Sequence, residues 1–376
     1  MTSTNRLAIT LEIPICDFQL GHMRLLKSVI ARNEAILKPL VGRRLQDYFV
    51  ASAPRNTEGV PSVRGGNKAE VISHSCYTPL MLSPSRLIEL ELAANQIRQD
   101  IITSLLAAKS GHSAGPLGMT DVFTALYYEI ANITPEKREA ADRDRVVLSN
   151  AHICPVLYAT LANRGYFPRE ELVSLRKLGT RLQGHSNNHF FPEIPIETCG
   201  GPLAQGISQA VGMAIASRTN FQANEKDKGN RPTWQTWCLM GDGELNEGQC
   251  WEAFMLAGKL NLRELTVFID RNNIQIDGFT EDIMPLEPLA NKFKAFNWSV
   301  LEINGHDIQS VVSAAELAKT TFENPTVIIC HTIPGKGVSF MQNRFEWHGK
   351  PPNAEEGQSA LRELRTLAGQ IKSEHE

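Results

Sequence analysis

The sequence predicts an α/β fold, a parallel sheet covered by helices on both faces, with an N-terminal extension. Three observations lead there. From Ser85 onward, stretches with helical spacing alternate with short apolar runs, as expected where crossover helices join parallel strands. At Gly241–Gly248 the run "WCLM" gives way to "GDGELNEG" and then to a helical pattern, a strand-to-helix turn rich in glycine and acids. Before residue 84 the alternation is absent and the composition shifts towards Pro, Gly and charge.

Taken in order, "ITLEIPICDF" reads as one short strand. His22–Val50 has helical spacing interrupted at Pro39, with a basic polar face. Ser52–Glu70 reads as a linker. Residues 1–84 are therefore expected to form an extension, a packing arm with a basic helix. The next segment, "SRLIELELAANQIRQDIITSLLAAK", is a strong amphipathic helix with Ser at its start. "DVFTALYYEIANI" is a second helix, "RDRVVLSN" a short strand, and "AQGISQAVGMAIASRTN" a small-residue helix suited to close packing. Strands follow at "WQTWCLM", "ELTVFIDRNN", "WSVLEIN" and "PTVIICHTI". Between them lie helices at "EGQCWEAFMLAGKL", "LEPLANKFKAF" and "IQSVVSAAELAKTTF". Residues 353–376 form a polar, helix-forming tail.

Length and charge narrow the classes. A chain of 376 residues has room for two or three domains, or for one large α/β domain with an appendage. A net charge of -3 argues against a nucleic-acid surface. No apolar run approaches the roughly 18 to 20 residues of a membrane helix. The first residues lack a secretory apolar core and carry Glu12 and Asp17. Seven scattered cysteines without a CxxC pair fit reduced thiols, so a cytoplasmic location is expected.

In parallel sheets, ligands sit beyond the carboxyl ends of the strands. "GDGELNEG" ends one expected strand and "DRNNIQIDG" the next, so Asp242 and Asn272 can be neighbours in space. A carboxylate with a side-chain amide oxygen and backbone carbonyls is hard-oxygen chemistry, suited to Mg²⁺ or Ca²⁺. The glycines allow the backbone to approach a diphosphate, the helix after Glu247 offers its N-terminus, and Asp242 holds the neutralising cation.

These residues resemble the thiamine diphosphate signature, and "LMGDGELNEGQCWEAFMLAGKLNLRELTVFIDRNNIQIDG" is similar to its transketolase version. The resemblance continues in "SGHSAGPLGMTDVFTALY", "RVVLSNAHICPVLYA", "LQGHS", "GGPLAQGISQAVGMAIA" and "IPGKGVSFMQNRFEWHGKPP", so residues 85–352 resemble the diphosphate-binding domain. It implies metal ligands at Asp242, Asn272 and the carbonyl of Ile274. It also implies a diphosphate contact from the N–H of Gly243, with Gly201 and Leu203 along the cofactor. His112, His152, His185 and His348 match the family's channel histidines. His152 and His348 are implied to reach the diphosphate too, and His112 and His185 the donor's hydroxyls. Imidazole titrates near working pH, which suits the proton removal that ketose cleavage requires. Glu247 and Glu252 match acids near the dimer interface and cofactor. His306 and His331 read as structural; His22, His74 and His189 receive no role.

Three departures stand out. Ala151 and Ala204 replace family glycines, each adding a methyl that is either neutral or narrows the channel. Nothing after residue 352, or in the extension, matches the second α/β domain whose glutamate activates the cofactor's aminopyrimidine. The resemblance therefore implies the N-terminal subunit of a split, two-chain transketolase, with a partner carrying the pyrimidine-binding domain, expected as α2β2. Such an enzyme cleaves a ketose or ketose phosphate donor and transfers a two-carbon ketol unit. Two alternatives remain open at this stage: an E1-like component serving a lipoyl or acyl-carrier thiol, and a non-catalytic cofactor-binding regulatory subunit.

Overall fold

Five parallel strands organise the chain in the order β1-β2-β3-β7-β6. They are β1 (Arg145–Leu148), β2 (Thr236–Gly241), β3 (Leu265–Arg271), β6 (Ser299–Asn304) and β7 (Thr326–His331). The computed structural model describes residues 80–191, 194–223 and 234–375. The expected strand, basic helix and linker of the extension lie outside these residues.

Side chains alternate across each strand, so each face collects every second residue. Val146, Leu148, Trp237, Leu239, Phe268 and Ile328 face one core. Val147, Cys238, Met240, Val267, Ile269, Val327 and Ile329 face the other. The first core is closed by α1 (Pro84–Ala108), α2 (Ala114–Gly118), α3 (Thr120–Ala125), α4 (Cys154–Asn163) and α9 (Ile308–Thr320). The second is closed by α5 (Gln205–Ala223), α6 (Gly248–Lys259) and α8 (Leu289–Ala295). A sheet buried on both faces accounts for strands that read as apolar runs.

Helix α1 begins one residue ahead of the expected stretch. Pro84 takes the first turn, and the Ser83 hydroxyl accepts the N–H of Arg86, the usual serine cap. The helix expected at "DVFTALYYEIANI" divides. Its α-helical turn ends at Ala125, and Leu126–Ile130 widens to a π turn, closed by the N–H of Ala131 on the carbonyl of Leu126 at 2.9 Å. After β3 the chain makes a small antiparallel hairpin, β4 (Ile274–Gln275) and β5 (Gly278–Phe279), before the short α7 (Thr280–Ile283). The last segment, α10 (Ala354–His375), lies on α1. Ala360 and Leu364 are fully buried there. A Cβ on Gly357 would fall 2.4 Å from Leu106 Cδ2, so glycine permits the close approach. Among the described residues, no helix is long and apolar enough to cross a membrane.

Candidate active site

A cleft of about 310 Å³ opens at the carboxyl ends of β1, β2 and β3. Ten of the residues singled out from the sequence line it: His112, His152, His185, His348, Gly201, Leu203, Asp242, Gly243, Asn272 and Ile274. Glu247 is not among them. The turn opened by Asp242 is a single 3-10 turn, Gly243–Asn246, and α6 starts only at Gly248, so Glu247 is exposed at its N-cap. Gly243, which lines the cleft, thus belongs to the short turn and not to α6. Glu252 is exposed as well.

Asp242 is almost fully buried and is oriented by three donors. Its Oδ1 accepts the N–H of Gly243 at 2.8 Å. Its Oδ2 accepts Arg271 Nη1 at 3.0 Å and the N–H of Asn273 at 2.8 Å. A carboxylate has about four lone-pair sites, so one stays available. Asn272 Nδ2 donates to Asp270 at 2.7 Å, and its Oδ1 accepts the N–H of Ile274 at 3.0 Å, leaving one amide lone pair. A Cβ on Gly243 would stand 3.9 Å from the Ile274 carbonyl oxygen, which puts the glycine turn beside the hairpin. Among the described residues, no cluster of three or more His, Cys, Asp or Glu can hold a metal. A cation here would rest on one carboxylate supplemented by amide and carbonyl oxygens, a set that fits Mg²⁺ or Ca²⁺.

The electrostatics point the same way. Burial pushes the Asp242 carboxyl up to about 6 against the pull of Arg271. Burial also pushes Asp270 up to about 7, and the charge on Asp242 adds to this. The guanidinium that meets Asp242 is shared with Glu281 and Glu287, while Asp270 is bonded by the uncharged Thr332 and Asn272 side chains. That region has room for a further positive charge.

Three imidazoles form a cluster. The centroids of His112 and His152 are 4.9 Å apart, those of His152 and His348 5.2 Å, and those of His112 and His348 5.7 Å. His185 joins them from the loop behind α4, where Tyr158 Oη donates to the carbonyl of Gln183 at 3.1 Å. Burial depresses all four, and His112 falls to about 4 under burial and the charges of His348, Arg176 and His185. The rings are neutral at pH 7. Among the described residues, Nδ1 of His112 and Nδ1 of His348 are buried without a partner, which suits atoms that await a ligand.

Sequence reasoning missed Glu244, which lines the cleft and is buried. Its carboxylate accepts Ser149 Oγ at 2.5 Å, the N–H of Ala204 at 2.6 Å and the N–H of Gly241 at 3.4 Å. It thus ties the turns after β1, before α5 and after β2 into one wall. Burial raises its pKa against those bonds. Arg271 was missed too; an arginine between two acid-rich turns was the available signal. The two alanine departures do not narrow the cleft. Neither lines it, and both are buried. A Cβ on Gly200 would fall 1.9 Å from that of Ala151, so a glycine there makes room for the Ala151 methyl. Ala204 takes a left-handed φ of 67°, held by its bond to Glu244.

His306 has a structural place: its Nδ1 meets Asp121 Oδ2 at 2.8 Å and its Nε2 accepts the N–H of Ile333 at 2.7 Å. His331 meets Glu302 at an exposed strand end.

Glycine turns, oxygen donors and a histidine cluster beyond parallel strands define an enzyme site for a diphosphate-bearing cofactor. Comparison with known proteins makes this specific. Residues 90–369 match the family described as transketolase, thiamine diphosphate binding domain. The 6-deoxy-6-sulfo-D-fructose transketolase subunit SqwG of Clostridium sp. (strain MSTE9) is 40% identical over 277 residues, 74% of this chain and 96% of that one. An apulose-4-phosphate transketolase subunit from Phocaeicola vulgatus is 36% identical over 287 residues, 76% of this chain and 97% of that one. The solved transketolase from Leishmania mexicana superposes with a TM-score of 0.68 at 32% identity, over 79% of this chain and 46% of that one. The chain belongs to the transketolase family. The expected fold class, thiamine diphosphate as cofactor and the transfer of two-carbon ketol groups are borne out. The chain spans nearly all of the subunit-sized relatives and under half of the solved single-chain enzyme.

Proposed function

We propose that this chain is the diphosphate-binding subunit of a two-chain transketolase, which takes a two-carbon ketol unit from a ketose or ketose phosphate donor and passes it to an acceptor. The observation that carries this reading is the meeting of four histidines with Asp242, Asn272 and Ile274 in one cleft, in a chain that covers 96% and 97% of two relatives named as subunits. Residues 85–352 supply the cofactor-binding domain. The partner is a second subunit with the pyrimidine-binding domain and its activating glutamate, in an α2β2 assembly.

Thiamine diphosphate supplies the nucleophilic carbon and the electron sink when bound. The chain's own residues bind, orient and handle protons. Asp242 and Asn272, with the Ile274 carbonyl, would hold Mg²⁺ or Ca²⁺, which would neutralise the diphosphate's charge. The N–H of Gly243, bonded to Asp242 Oδ1 at 2.8 Å, would turn to the diphosphate, while Gly201 and Leu203 line the cofactor's path. His152 and His348 reach the diphosphate, and the unpartnered Nδ1 of His348 is free to do so. His112 and His185, uncharged at neutral pH, accept hydrogen bonds from the donor's hydroxyls and take up the proton that cleavage releases.

The test is Asp242→Ala in the chain with its co-purifying partner. Calorimetric titration should find Mg²⁺-dependent cofactor binding abolished and ketol transfer lost. Retained tight, Mg²⁺-dependent binding would refute the site. A partner bearing a lipoyl or acyltransferase module would move the acceptor to a carrier thiol.

A further inference from the structure

Arg176 stands where two of the histidine-bearing turns meet. It has a left-handed φ of 60°, a conformation that non-glycine residues keep only when their surroundings impose it. Its N–H donates to the carbonyl of Leu182 at 2.7 Å, closing the loop that delivers Gly184 and His185. The guanidinium folds back over that loop. A Cβ on Gly184 would fall 2.3 Å from Arg176 Nε and 2.7 Å from Cζ, and one on Gly111 would fall 3.6 Å from Nη1. Gly111 and Gly184 are the residues immediately before His112 and His185. The cation is therefore seated against both glycine-histidine turns, and a side chain at Gly184 would displace it. Nη1 also donates to Ser110 Oγ at 2.9 Å, in the first of these turns. Among the described residues this hydroxyl is its one side-chain partner, so no carboxylate there offsets the charge.

We propose that Arg176 is a positioning residue for His112 and His185: its guanidinium, seated on Gly184 and bonded to Ser110, sets the spacing of the two turns and holds a fixed positive charge beside both. The inference rests on the reading that these two histidines face the donor. Arginine cannot lose its proton in a protein, so the field is constant with pH. The groups acting on His112 are His348, Arg176 and His185, with the His152 ring packed beside it. On His185 the acting charge is that of Arg176. In both cases burial is the larger cause, and the cation adds to it. The effect is to disfavour the imidazolium and keep an acceptor lone pair towards the cleft.

The experiment titrates ring-labelled histidines in the full chain by NMR, assigned with His112→Gln and His185→Gln, for wild type, Arg176→Met and Arg176→Lys. In parallel, kcat and KM are measured against pH for each variant assembled with the partner subunit. Arg176→Met is expected to raise both titrations towards the ordinary imidazole value and to move the acid limb of kcat/KM upward. It is also expected to lower kcat about 10- to 100-fold, the scale of a misplaced catalytic group. Arg176→Lys should return the titrations towards wild type while kcat stays reduced, because a point charge on a flexible stem cannot cover Gly184 and hold Ser110 as the planar fork does. Should the Met variant lose thermal stability, Arg176→Gln, which keeps a donor for Ser110, removes the same charge. Unmoved titrations in the charge-free variant would overturn the proposal. So would a loss confined to KM for phosphorylated donors, which would make Arg176 an anion contact. If His112→Gln and His185→Gln leave transfer intact, the donor-facing reading fails, while the NMR shifts still decide the role of Arg176.

Discussion

Replacing Glu244 by alanine tests whether one buried carboxylate holds the cofactor wall together. The side chain is 2% exposed, and its donors come from three turns, at Ser149, Ala204 and Gly241. Truncation strands the buried N–H of Ala204 outright. With the Asn150 amide turned over, its oxygen lies 3.2 Å from the N–H of Gly241 as an alternative acceptor, and the Ser149 hydroxyl can rotate. One fully stranded donor and one weakened donor, at about 1–3 kcal/mol each, give a gross loss of roughly 3–4 kcal/mol. Relief of the desolvation that raises this carboxyl's pKa offsets part of it, leaving a net loss of about 2–3 kcal/mol. At about 2 °C per kcal/mol for a domain of this size, Tm should fall by roughly 5 °C. Glu244→Gln keeps one acceptor oxygen and should lose less than half as much. The assays are urea unfolding of Glu244→Ala, Ser149→Ala and the double variant, with cofactor titration of each. The two sites share a bond, so the double variant should lose less than the sum, and cofactor affinity should fall with stability. A stability change under about 0.5 kcal/mol, or strict additivity, would refute the three-turn tie.

Mg²⁺-dependent cofactor affinity should climb as pH rises through about 6, where burial has placed the Asp242 carboxyl. A protonated ligand must release its proton to hold a cation, so the climb is at most about tenfold per pH unit per proton and levels above that value. Asp270, pushed up to about 7, should extend it. Calorimetry in buffers of different ionisation enthalpy would detect the proton release, and a flat profile across this range would contradict the assignment. Gly206→Ala should damage both stability and cofactor binding, since its Cβ would fall 2.5 Å from Ser149 Cα. Overpacking of this kind costs about 1–3 kcal/mol; thermal unfolding at wild-type Tm would show that α5 can shift freely.

Much of this site was legible because its motifs are local. A glycine turn after a strand, or a histidine beside a glycine, places its own backbone whatever the rest of the chain does. Asp242 and Asn272 were therefore readable from their places at the ends of adjacent strands, and the five strands and most helices, though not α4, were readable from hydrophobic period alone. What a side chain meets across the fold was not. Glu244 looked like one acid among three in "GDGELNEG", and only the packing of α5 against the turn after β1 brings Ser149 and Ala204 to it. Glu247, three residues on, matches the motif equally well, yet it faces solvent because the helical turn is interrupted before α6.

The sequence by itself determined the layered α/β class and a diphosphate-binding turn, which depend on residue type and short-range spacing, and its resemblance to transketolases pointed to the histidines. The tertiary structure decided that the Ala151 methyl is received by Gly200, and that the Ala204 backbone is pinned by a buried carboxylate. It also decided that an arginine 64 residues beyond His112 meets the two turns that carry His112 and His185. These are contacts between segments far apart in the chain, set by the closing of loops over one sheet edge, and no local period encodes them.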